Sequence, residues 1–144
     1  MPITVHIRPD DRLVVLAHAG PVQDDEFLSS YRTLFDDARY DKSFNVLVDL
    51  RRAESAVRSP EVLRDLAEFV KPRFENTQAI PMVAVVAPED ISFGLARMYE
   101  AFSDPVSWEF KVFRSAEEAL LWLGLPEALV DDLDRNAPDP PDSD

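Results

Sequence analysis

The side chains that could do chemistry are few and scattered: His6, His18, the acidic pair Glu89-Asp90, the arginines Arg51, Arg52 and Arg58, and Ser59 beside them. A histidine-dependent triad needs a nucleophile and an orienting acid in register with the imidazole. His6 falls on the polar side of an alternating segment and His18 near the end of an apolar one, and no motif around either supplies the other two groups. Surface or hairpin packing is the ordinary fate of such histidines. The chain has no cysteine, so thiolate nucleophiles, disulfides and zinc–thiolate sites drop out. Its carboxylates form no EF-hand loop, and no histidine pair stands at helical spacing. Three glycines, Gly20, Gly94 and Gly124, cannot build a P-loop or a Gly-x-Gly-x-x-Gly cradle. No catalytic residue, metal or cofactor is expected.

The remaining polar groups each have a plain and a functional reading. Glu89-Asp90 stands where a strand gives way to a helix, and capping and the helix dipole alone favour acids there. A general acid/base role would need a second group that the sequence does not show. Arg51, Arg52 and Arg58 gather after the third strand, where they can pair with nearby acids in a solvated loop. They can also form an anion or acidic-partner site beside the free N–H groups of the second helix. Gly94, early in a helix, implies close backbone approach to the sheet or to a neighbour.

The elements that must position these residues follow from periodicity. Thr4 to Arg8 alternates with period two, and Arg12 to Ala19 resumes as an apolar strand after the turn residues Pro9-Asp10-Asp11. Phe27, Leu28, Tyr31, Leu34, Phe35 and Ala38 share one face of a first helix, with Asp24, Asp25 and Glu26 in its opening turn. Asn45 to Leu50 is a short buried strand. Ser59 caps a second helix with Pro60 at its first position and a stripe of Val62, Leu63, Leu66, Phe69 and Val70. Pro72 is expected to end or kink that helix. The unbroken apolar run Ile80 to Ala87 suits a central strand buried on both faces. A third helix carries Ile91, Leu95, Met98, Tyr99 and Phe102. Trp108 to Phe113 is a fifth strand. Ser115-Ala116-Glu117-Glu118 opens a fourth helix as a capping box, closed by Gly124 and Pro126.

The order is therefore ββαβαβαβα: an α/β domain with a mostly parallel five-stranded sheet and an antiparallel strand at its N-terminal edge. The domain spans residues 1–126, and residues 127–144 form an acidic tail with one amphipathic turn (Leu129, Val130, Leu133) before a disordered end. With helices mainly on one face, the apolar middle of the other face would need a partner, a second copy, a ligand or a crossing helix to cover it.

That order, with Phe44 to Arg51 in the third strand and Phe93 to Glu100 in the third helix, resembles the STAS/SpoIIAA-like domains, the fold of anti-sigma-factor antagonists. Val112-Phe113-Arg114 leading to Glu117-Glu118-Ala119 and Trp122-Leu123 adds to the likeness, which covers roughly Ile3 to Leu125. The resemblance implies a non-catalytic regulatory or protein-interaction module, and it implies that Ser59 is a phosphosite. The family pattern there is Asp-Ser-Ser-Gly or a close variant, whereas this chain reads Val57-Arg58-Ser59-Pro60. Other members of the fold bind nucleotides, lipids or apolar molecules, so the alternative is a binder or carrier of an apolar or lipid-like small molecule.

Charge narrows the partners. The formal net charge is -13, a surface that repels phosphate backbones and anionic headgroups at long range. The expected partner is a protein, or a second copy in a homodimer, or an apolar small molecule, and not nucleic acid. No apolar run is long enough to span a membrane and the N-terminus carries no export signal, which points to the cytoplasm. The candidate partner or ligand residues are Arg51, Arg52, Arg58, Ser59, Glu89, Asp90 and Arg97.

Overall fold

A computed structural model of the 144-residue chain describes residues 3–54, 58–74, 78, 80–103 and 108–138. The polar end of the tail, residues 139–144, lies outside the described residues. The strands are β1 (Ile3–Arg8), β2 (Leu13–Pro21), β3 (Asn45–Glu54), β4 (Met82–Val86) and β5 (Glu109–Phe113). They form one sheet in sequential order, with β1 antiparallel to β2 and every other pair parallel. The hairpin turns through a short 3-10 segment, Pro9–Asp11. Arg12 closes it in the left-handed conformation (φ 51°) and donates its N–H to the Pro9 carbonyl.

Sequential parallel order decides where the helices go. Connections of one hand between neighbouring parallel strands put their helices on one face. The helices α1 (Asp24–Asp36), α2 (Pro60–Phe74) and α3 (Asp90–Ser103) are these connections. Side chains alternate across a strand, so Val14, Leu16, Val48 and Val85 pack toward Leu34 of α1 and Ala96 of α3. Leu13, Val15, Leu47, Ala84 and Val86 point the other way. They meet Ala116, Ala119, Leu120 and Leu123 of α4 (Ala116–Leu123) and Leu133 of α5 (Leu129–Arg135). The expected uncovered face is therefore closed by the chain itself, because the two helices after β5 fold back over it. The amphipathic turn expected at Leu129 to Leu133 is a two-turn helix whose Leu133 is buried.

Three local expectations need correction. Pro72 does not end α2, which runs on to Phe74. Only the last turn loses a hydrogen bond, Phe74 is buried, and the Arg73 guanidinium donates to the Phe69 carbonyl at 2.6 Å. Of the stripe expected on α3, Leu95, Met98, Tyr99 and Phe102 pack inward, but Ile91 is 56% exposed and the most buried positions include the small residues Ser92, Ala96 and Ser103. Gly94 makes no close approach: it is exposed, and a Cβ there would meet nothing within 4 Å.

Candidate functional site: an apolar cavity under the second helix

The backbone neighbours of α2 are α3 and α1 rather than the strands. Helix α2 therefore roofs a gap that α1 and α3 wall in. Its floor is Leu16, Val46, Val48, Val83 and Val85 of the sheet, and its roof is Leu63, Leu66 and Val70 of α2. Phe27 and Leu34 of α1, Leu95 and Ala96 of α3, and Phe110 of β5 complete the walls. The cavity, which opens toward Glu54, has a volume of about 110 Å³. Protein interiors leave few voids larger than a water, and an apolar void of roughly 150 Å³ accepts benzene. The space here is of that order and is lined almost wholly by carbon.

The polar lining is sparse and mostly neutral. Burial raises the pKa of the Tyr99 and Tyr31 hydroxyls, with the Arg58 charge opposing the shift at Tyr31, and pushes Tyr40 up to about 12. All three phenols keep their protons at neutral pH. Ser92 is buried in the wall.

One end is different. His18 is 3% exposed and shares its strand face with Val14 and Leu16, so its imidazole enters the cavity. The ladder shifts register beside it, from the Ala17–Asp49 pair to the Ala19–Arg52 pair, placing one extra residue in β3. Such bulges re-aim side chains, and here Leu50 and Ala53 both reach the lining. The His18 Nε2 has no hydrogen-bond partner. Burial first, then the Arg58 charge, lowers its pKa to about 3 against an opposing pull from Asp49, which leaves the ring neutral at ordinary pH.

Arg58 stands at the same end. Its guanidinium lies over the Phe27 ring at 4.2 Å and pairs with Asp24 at 2.8 Å. Phe27 in turn lies 6.0 Å from the His18 ring and 5.1 Å from the Tyr31 ring. Ser59 accepts from the Val62 N–H at 3.2 Å, the capping contact, and donates its hydroxyl proton to Asp24 at 2.8 Å. Asp24, Arg58 and Ser59 therefore tie the start of α1 to the start of the roof helix.

The other candidates disperse. Arg51 makes a two-pronged contact with buried Asp49, at 2.9 Å on each oxygen, and reaches Asp134 of α5 at 3.0 Å. Arg52 meets the same Asp134 oxygen at 3.0 Å. Both arginines face the α5 side, away from the cavity, and clip α5 to β3. Asp90 pairs with Arg114, which also bonds the Pro88 carbonyl and stacks on Phe93 at 4.1 Å. Glu89 is exposed, with its carbonyl accepting from the Phe93 N–H. Arg97 pairs with Glu100 on the outer surface of α3. Of the seven, only Arg58 and Ser59 belong to the cavity end.

His18 is the residue that sequence reasoning misplaced. It lies inside β2, which continues to Pro21, not at a strand end. The available signal was its parity with Val14 and Leu16 in a strand with no other polar side chain from Leu13 to Ala19. Among the described residues no group of three or more His, Asp or Glu side chains could hold a metal, and no helix is long and apolar enough to cross a membrane.

No protein-family model matches the sequence, and no curated protein matches it significantly. Among solved structures, the chain is similar to an uncharacterized protein of the DUF3478 family with a SpoIIAA-like fold from Shewanella loihica PV-4. The TM-score is 0.53 at 17% identity, covering 84% of this chain and 91% of that one. That protein has no stated activity to compare, so the likeness concerns architecture. The chain folds as a SpoIIAA-like α/β domain.

Proposed function

We propose that this domain is a non-catalytic binder of a small apolar molecule, held between the sheet and α2. One observation carries the reading. A cavity of about 110 Å³ lies beneath a helix whose backbone approaches its neighbouring helices more closely than the strands. Native cores are close-packed, and an apolar void this large forfeits contacts along its whole lining. A ligand of benzene's bulk restores them. Native mass spectrometry of protein purified from its own cell, combined with thermal unfolding in toluene, tests this. A retained small-molecule mass, or a toluene-dependent rise in midpoint, supports the reading. Bare protein with no response to toluene contradicts it.

A second reading, a regulatory module that contacts another protein, is favoured by the position of Ser59. Its hydroxyl joins the first turn of the roof helix to Asp24 of α1. A phosphate there would face the Asp24 carboxylate and compete with it for Arg58, changing how α2 sits. Pull-downs comparing Ser59→Ala with Ser59→Asp test it: different partner binding by two equally folded variants supports a switch, and equal binding leaves Ser59 as a cap.

A further inference from the structure

An apolar cavity of this kind has one chemically distinct end. Among the described residues, two buried side-chain polar atoms lack a hydrogen-bond partner, Thr4 Oγ1 and His18 Nε2. Only His18 lines the cavity. A buried, unpartnered ring nitrogen is costly, and such groups in native structures ask for an explanation. Its surroundings narrow what would satisfy it. The Arg58 cation lines the same end, its side chain 8% exposed. Its counter-ion Asp24 is more exposed, and both Asp24 oxygens are engaged, by Arg58 and by Ser59. Asp49, in β3, shares the Leu47 face opposite the cavity and is held by Arg51. Glu54, the other charged lining residue, is exposed at the rim, where water screens it.

We propose that the ligand is a small monocarboxylic acid whose carboxylate accepts a hydrogen bond from His18 Nε2 in the field of Arg58, while its hydrocarbon part fills the space between sheet and α2. A neutral imidazole presents Nε2 as donor or acceptor according to tautomer, and an acceptor-only head selects the donor form. Charge-assisted bonds of this type are the strong ones, and the guanidinium favours an anion over a neutral head. The inference rests on the cavity reading above and adds the class of ligand.

Three probes that share a ring separate the two ideas: toluene, benzyl alcohol and benzoate. Each is titrated by calorimetry into wild-type protein and into His18→Leu, which keeps an apolar wall and removes the ring nitrogen. The expected result is that His18→Leu weakens benzoate roughly tenfold and leaves toluene within about twofold. A 15N spectrum of the wild type should show His18 Nε2 moving with benzoate and not with toluene. Toluene bound and benzoate rejected overturns the acidic head while the cavity reading stands. Equal losses for benzoate and toluene, or a larger loss for benzyl alcohol, also overturn it. Failure of all three probes to bind wild type overturns the cavity reading as well.

Discussion

Acid should destabilise this protein through one residue well before its carboxylates are discharged. His18 is held neutral, with its pKa lowered from 6.5 to about 3 by burial and then by Arg58, while Asp49 pulls the other way. In the unfolded chain the same imidazole takes up a proton near pH 6.5. Below that pH the unfolded state binds more protons than the folded one, so stability present above 6.5 is lost as the pH falls toward 3. Between pH 7 and pH 5 the unfolded chain gains about 0.7 of a proton at this site and the folded chain gains almost none. The linkage integral over that interval is about 2 kcal/mol. Few ordinary carboxylates titrate above pH 5, and Asp37, whose pKa its Arg39 contact lowers to about 2, stays charged. Urea unfolding of wild type and His18→Leu at both pH values isolates the effect. Wild type should lose about 2 kcal/mol more than the variant across the interval. Equal losses, within half a kilocalorie, would falsify the claim that the native imidazole is buried and neutral.

The remaining expectations are simpler. Ala96→Leu places a larger side chain in the cavity, so it should hold or raise the melting midpoint and abolish stabilisation by toluene; a loss of about 1–3 kcal/mol would mean that the space is already filled. Leu133→Ala should cost about 2–3 kcal/mol in urea unfolding, because α5 is packed rather than frayed, and a negligible cost would show that the chain past Pro126 adds nothing. Ser59→Ala should cost about 1–2 kcal/mol, losing both the cap to Val62 and the contact with Asp24, and thermal unfolding at neutral pH reads it. Gly94→Ala should stabilise by about 0.5–1 kcal/mol, since the site is helical, exposed and open; destabilisation would restore the close approach that the sequence suggested.

The architecture was legible because the period of each segment and its turn chemistry agree. The alternation of Thr4 to Arg8, the apolar run of Ile80 to Ala87 and the Ser115 capping box each name an element, although β4 keeps only Met82–Val86 of that run and Ile80 is exposed. What the pattern could not supply was spacing between layers. Leu63, Leu66 and Val70 read as an ordinary buried stripe, and nothing in their order tells that they also roof a gap above the middle of the sheet. The arginines misled for a related reason. Arg51, Arg52 and Arg58 are neighbours in sequence, but the first two, at the β3 bulge, meet Asp134 of α5, while Arg58, just before α2, meets Asp24 of α1. The role of α5 was hidden by composition. A segment with three acids among its seven residues reads as tail, yet Asp134 is the acid that Arg51 and Arg52 require, and Leu133 completes the core beside it.

The central claim, that the gap beneath α2 takes an apolar guest, is tested most directly by methyl NMR of the full chain saturated with toluene. The account predicts shifts and ligand–methyl Overhauser contacts at Leu16, Val48 and Val85 of the floor and Leu63, Leu66 and Val70 of the roof, with Leu13, Leu47 and Leu120 on the opposite face unmoved. Contacts confined to exposed Ile80, Ile91 or Leu121, or no contacts at all, would contradict it.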